Sequence, residues 1–263
     1  MGGTLSSRRK GYWIWVSLSL SFVLSASAVA SGEENQVQAR SVTVSYLKGK
    51  AEMQRGQSAP WEIVRAGSVL REGDRARTFE ATRLELTLED RSVIRFGERT
   101  NFILVQMKGN SRTRQSNSRI FLLLGKIWAN VNKTAGLSST FEIQTQTAIA
   151  GTRATIYRLS LLDDKSTVVK VYEGSIEVAS APKEVPPPAA ESGPHEVSGP
   201  AEIPPPFHEV SIEEWTEMVG TMEQITISPQ GIPGKREKIL TEMGEEEWVA
   251  WNKERDKGVS FSK

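Results

Sequence analysis

Few residues in this 263-residue chain have the type and spacing that catalysis requires. The two histidines, His195 and His208, sit in a proline-rich stretch with no third or fourth ligand in a metal-binding pattern. The carboxylate pairs Glu89–Asp90 and Asp163–Asp164 fall in turns between apolar runs, where they solvate the turn rather than form an acid–base couple. No H-E-x-x-H, G-x-S-x-G or phosphate-loop pattern occurs. The absence of cysteine removes thiolate nucleophiles, disulfides and thiolate metal sites together. The expectation is a non-enzymatic chain with no metal or organic cofactor.

What remains suits binding. The tetrad Ala150-Gly151-Thr152-Arg153 interrupts an alternating apolar pattern. A bulge or tight bend in a buried strand is the expected role of Gly151 and Thr152, and a small-residue notch for a ligand or a peptide edge is the competing one. Between Arg91 and Lys133 there are nine bases against Glu98 alone. Arg95, Arg112, Arg114 and Arg119 are the candidate contacts on that basic stretch. From Glu209 to Asp256, by contrast, 12 acids face 5 bases. The acidic end is expected to fold near the basic face, or else that face binds an anionic envelope component such as peptidoglycan, acidic polysaccharide or phosphorylated glycolipid. The loop from Lys108 to Arg119 has no aromatic residues interleaved with its bases, so single-stranded nucleic acid is not an expected partner. Trp215, Trp248 and Trp251 need a surface to cover, on the same chain or on a partner protein.

These residues must be carried by β structure. From Val42 to Val178 the chain alternates apolar and polar residues in short runs with turn signals every 8 to 12 residues. Val42-Val44-Tyr46, Leu84-Leu86-Leu88 and Phe141-Ile143-Thr145 are clear examples. Hairpins are expected at Glu89-Asp90-Arg91-Ser92 and Asp163-Asp164-Lys165, and a polar loop from Lys108 to Arg119. The predicted class is all-β: a two-layer sandwich or a short solenoid-like domain over residues 40–180.

A proline-rich linker follows at residues 181–208. Residues 209–256 read as a small helical acidic tail. Ser211 and Glu214 form a capping box, and Ile212, Trp215, Val219 and Met222 share one helical face. Gln224–Ile227 is a short strand candidate within the tail. Glu245–Arg255 reads as a second helix, with acids first and bases last to suit its dipole. At the start, Arg8-Arg9-Lys10, an apolar run and the small residues Ser25 to Ala30 describe a cleavable signal peptide over residues 1–30. Removing those three bases takes the net charge from +1 to −2. The expected location is therefore periplasmic or secreted, with membrane contact through the signal peptide alone.

The order of turns and strands resembles the FecR-type domain of bacterial envelope proteins. The matching positions are Gly49, Trp61, Gly67 to Asp74 with Thr78, Leu84 to Leu88 and Ser92 to Phe96. They continue through Leu124 to Trp128, Phe141 to Thr145, Ala148 to Thr152 and Val171 to Val178. Arg91 stands where the family usually has glycine, so a different turn type is expected there. Regulatory members resemble anti-sigma factors, with a cytoplasmic helical domain ahead of a membrane helix. Only a few residues precede the basic patch here, so the resemblance implies an exported binding or sensing module rather than a sigma-factor regulator. A structural role in an envelope assembly is the second reading. The implied partner is an envelope protein or an anionic envelope polymer.

Overall fold

The computed structural model describes residues 2, 38–39, 41–56, 58–110, 115–132, 139–152, 154–181, 215–240 and 246–259. The chain divides into Met1–Glu34 and Asn35–Lys263, and every element below lies in the second unit. The signal peptide, most of the linker and the Ser211 capping box fall outside the described residues.

In chain order the strands are β1 (Gln38–Ala39), β2 (Ser41–Lys48), β3 (Ala51–Gln54), β4 (Trp61–Ile63), β5 (Val69–Arg71) and β6 (Arg75–Thr78). Next come β7 (Arg83–Thr87), β8 (Val93–Phe96), the long β9 (Asn101–Asn110) and the longer β10 (Gln115–Asn130). They are followed by β11 (Thr140–Gln144), β12 (Ala148–Thr152), β13 (Ile156–Leu161), β14 (Thr167–Glu173) and β15 (Ile176–Ser180). β16 (Thr216–Val219), β17 (Glu223–Ile227), β18 (Glu237–Lys238) and the helix α1 (Glu246–Lys257) complete the set.

Two sheets result. Sheet A runs β4-β3-β6-β9-β10-β11-β12-β15-β16, with β1 added beside β9. Sheet B runs β5-β2-β7-β8-β10-β13-β14-β17-β18. Only β10 belongs to both: its first half pairs in sheet A and its second half in sheet B. Neither sheet closes on itself, so the fold is an all-β two-layer sandwich carrying one short C-terminal helix. The inward rows of both sheets meet in one core, with Leu84, Leu86, Phe96, Phe102, Leu122 and Leu159 fully buried. At its centre the Phe96 and Phe102 rings stack at 3.7 Å.

One device recurs at three places where a pair of strands passes from one sheet to the other. A glycine at positive φ sits on one strand: Gly49 (90°), Gly125 (94°) and Gly174 (88°). Opposite it, a threonine follows a residue that is itself left-handed: Ala81-Thr82, Arg99-Thr100 and Ala154-Thr155. At two corners the threonine hydroxyl is the acceptor for the backbone N–H of the residue after the glycine. Lys50 N lies 3.0 Å from Thr82 Oγ1 and Lys126 N 3.2 Å from Thr100 Oγ1. At the third corner the Thr155 hydroxyl donates to the Ser175 carbonyl at 2.8 Å. The glycine is needed twice over, for its φ and for the approach it permits. A methyl at Gly125 would lie 2.6 Å from Thr100 Cα.

Three sequence expectations change. Residues 108–110 and 115–119 extend β9 and β10, so the expected loop from Lys108 to Arg119 is mostly strand. Arg91 occupies φ 68°, the conformation the usual glycine would take, and its N–H bonds the Leu88 carbonyl at 2.9 Å. The turn type survives the change, and the ladder bond from Leu88 N to Ser92 O closes it. Finally, of the helical face expected from Ile212 through Met222, the described residues, Trp215 to Met222, are not helical. Residues 216–219 are β16, because pairing with β15 satisfies backbone groups that an isolated helix turn would not. The strand expected at Gln224–Ile227 is present as β17.

The corners make a comparative prediction. Gly73 also has positive φ (86°), but a side chain there meets nothing within 4 Å. Gly125→Ala is expected to cost ~2–4 kcal/mol in urea unfolding and Gly73→Ala ~1 kcal/mol. Equal losses would show that the threonine contact contributes nothing.

Candidate functional site

The outer face of sheet A carries a groove of about 430 Å³. Its floor is a cross-strand row set by the register: Glu142 on β11, Gly151 on β12, Glu177 on β15 and Met218 on β16, with Arg119 on β10 next in the row beside Glu142. Thr140 and Ser175 line one end, Ile149 and Ala179 the other. Strand alternation places all of these on the side away from the core. The notch in the middle exists because Gly151 has no side chain.

Nothing in the backbone demands that glycine. β12 runs through Gly151 and Thr152 in unbroken register with both neighbours, so the expected bulge is absent. Its φ is not in the left-handed region, and an added Cβ would meet only Glu142 Cγ at 3.7 Å, an ordinary contact. Mid-strand glycine costs roughly 0.5–1 kcal/mol relative to alanine, and here no turn or close approach requires it.

The groove is polar and asymmetric. Arg119 Nε donates to Glu142 Oε2 at 2.7 Å, and Glu177 lies exposed across the notch. Met218 is 50% exposed at the open edge of the sheet, which makes it the groove's apolar wall. Its carbonyl accepts a hydrogen bond from Arg236 Nη1 at 2.9 Å, so that edge is partly occupied. Thr152 also lines the groove but is largely buried, and its hydroxyl donates to that of Thr155, tying β12 into the third corner.

The outer face of sheet B is covered instead. One row crosses it from Tyr46 through Glu85, Arg95, Trp128, Arg158 and Lys170 to Gln224. α1 lies over its first half, burying Trp248, Val249 and Asn252, which recur at helical spacing on one face. Arg95, fully buried, donates from Nε to Glu85 Oε2 (2.7 Å) and from Nη1 to Asp256 Oδ1 (2.6 Å). Asp256 Oδ2 accepts from Trp128 Nε1 at 2.9 Å. Arg255 makes a forked contact with Glu85, 2.9 and 3.0 Å. A bulge in β2 gives Glu85 two opposite residues, and the extra one, Ser45, donates to it at 2.8 Å. Tyr46 and Trp251 pack at 5.8 Å with Arg255 over the Tyr46 ring, and Trp128 stacks on Tyr172 at 4.6 Å.

The sequence-selected residues thus separate. Gly151 and Thr152 line the groove, and Arg119 reaches it through its bond to Glu142. Arg95, Trp248 and Trp251 meet under and on α1, so Arg95 belongs to an internal ion network and not to an exposed basic face. Trp215 is half-buried against the core and donates to the Gly231 carbonyl at 2.7 Å. Arg112 and Arg114 lie outside the described residues. Glu85, Asp256 and Met218 were not singled out from sequence. The Glu85–Arg95 pairing follows from hairpin register around residues 89–92, whereas Asp256 joins Arg95 across 161 positions with no local signal.

Burial raises the Glu85 carboxyl pKa, but the hydrogen bonds from Arg255, Arg95 and Ser45 outweigh it and bring it from 4.5 to about 2. A carboxylate depressed on folding stabilises the folded state above its unfolded pKa, and that stability is lost as pH falls from about 4.5 toward about 2. The amount is on the order of 3 kcal/mol. Acid titration followed by tryptophan fluorescence is expected to show α1 loosening in this window. In Glu85→Gln that component disappears from the titration, and stability at neutral pH drops by about 3 kcal/mol because Arg255 loses its carboxylate and Arg95 keeps only Asp256.

Comparison with known proteins adds one firm result. Residues 74–177 match the family model described as FecR protein. A comparison with curated proteins finds no match. Two crystal structures of a candidate anti-sigma factor from Parabacteroides distasonis are similar at 14% identity over 68% of this chain, with TM-scores of 0.41 and 0.40. This chain spans 64% and 63% of the length of those structures. The family match begins at Asp74, the residue that closes the turn before β6, and ends at Glu177 beside the notch. It includes β7, β8 and β10 beneath α1 and β11 and β12 of the groove, and leaves out β2, β16 and α1. Residues 74–177 of the chain are thus a FecR-type domain.

Proposed function

We propose that this protein is a non-enzymatic binding or sensing module of the bacterial cell envelope, and that it recognises a partner protein through the groove on sheet A. The observation that carries the reading is Gly151: a glycine held mid-strand, without a conformational reason, where its missing side chain forms the floor of an open groove. The family match supports a regulatory or sensing role over a catalytic one. Export to the periplasm or beyond is part of the proposal and rests on the N-terminal sequence pattern. The groove favours a protein over an anionic polymer, because Glu142 and Glu177 flank the notch and only Arg119 is basic in the row.

Filling the notch tests this. Gly151→Leu is expected to keep the fold, with an unfolding midpoint within a few degrees of the parent, because the site has room for a side chain. Crosslinking in the native envelope should then lose the main captured protein. Capture that survives in a folded Gly151→Leu variant would remove the groove from consideration. A loss of folding would return Gly151 to a structural role.

A further inference from the structure

The contact between α1 and sheet B is ionic as well as aromatic. Three ion pairs and a tryptophan N–H converge on Glu85 and Asp256, and a further pair links Arg83 to Glu247 at 2.5 Å. Three side-chain atoms buried in this seam have no hydrogen-bond partner: Arg95 Nη2 from the sheet, and Trp248 Nε1 and Asn252 Oδ1 from the helix. A permanent interface rarely leaves such groups, because each costs about 1–3 kcal/mol. α1 itself has 12 residues, a length at which an isolated helix is marginal in water. The seat beneath it differs in kind. Tyr46, Glu85, Arg95, Trp128 and Tyr172 stand on strands paired on both sides, so the seat persists whether or not it is covered.

We propose that α1 is the displaceable occupant of a helix-binding seat on sheet B, and that a partner protein's helix of the same chemistry exchanges for it. The present occupant shows what that chemistry is. Two aromatic residues one turn apart, Trp248 and Trp251, cover the aromatic row. About two turns after the first, Arg255 and Asp256 supply a base for Glu85 and a carboxylate for Arg95 and Trp128. The seat therefore selects an amphipathic helix with an aromatic pair followed by an adjacent base and acid. This inference stands on the seam alone and does not depend on the groove.

The test uses the full chain. Hydrogen exchange should show α1 amides opening at least ~100-fold faster than those of β8 and β10, by a local event. Raising salt from about 0.05 M to about 0.5 M should accelerate α1 several-fold and leave the core strands unchanged. A fluorescent peptide of residues 241–259 should bind the full chain saturably, and Asp256→Asn in the peptide should weaken binding about tenfold or more. Asp256→Asn in the chain itself should speed α1 exchange without touching the core. The proposal is overturned if α1 exchanges only together with the core strands. It is also overturned if the peptide fails to bind, or binds equally well with Asp256→Asn.

Discussion

A glycine packed against a threonine decides whether this chain can be a sandwich at all. Strands that stayed in one plane would form a single long sheet with both faces wet. The three corners turn pairs of strands together from one sheet to the other, so that their inward rows face each other across a common core. Each corner needs two backbone distortions at once: a glycine at positive φ on one strand and a left-handed residue before threonine on its partner. The non-glycine member of each pair, Ala81, Arg99 or Ala154, carries roughly 1 kcal/mol or more of strain. The hydrogen bonds through Thr82, Thr100 and Thr155 and the burial of Phe96, Phe102 and their neighbours offset it.

The two outer faces then take opposite courses. On sheet A the row through Gly151 is left open, short of side-chain volume at its centre and charged around it. On sheet B the corresponding row is charged and aromatic, and it is closed by a segment from the far end of the chain. Both arrangements depend on register. A slip of one residue in β8 would carry Arg95 into the core, and the same slip in β12 would bury the notch.

Much of this was readable beforehand, and the reasons for the exceptions are physical. The hairpins at residues 89–92 and 163–165 and the alternating strands around them are local patterns, so they appear in the sequence. α1 was visible because its acids and bases are ordered along the helix. β16 was misread because Trp215, Val219 and Met222 happen to fall at helical spacing, and the pairing that makes them a strand and its turn lies with β15 across an intervening proline-rich stretch. Gly49, Gly125 and Gly174 could be marked as turns, but their partners could not: nothing about Ala81, Arg99 or Ala154 announces a left-handed residue. The groove was half legible. Gly151 and Arg119 were noticed separately, while the alignment that brings them into one row with Glu142, Glu177 and Met218 exists only in the folded sheet.

Because β10 belongs to both sheets, the two outer faces are parts of one mechanical body. Arg119 at the groove and Trp128 under the helix are nine residues apart on the same strand, about 30 Å of extended chain. Each half of that strand is clamped by neighbours on both sides, and between them lie the left-handed Gly125 and a bulge in the pairing with β9 between Leu122 and Leu124. A load applied at one end is therefore relieved where the strand already bends. Those few residues around Gly125 are a fulcrum as well as a corner.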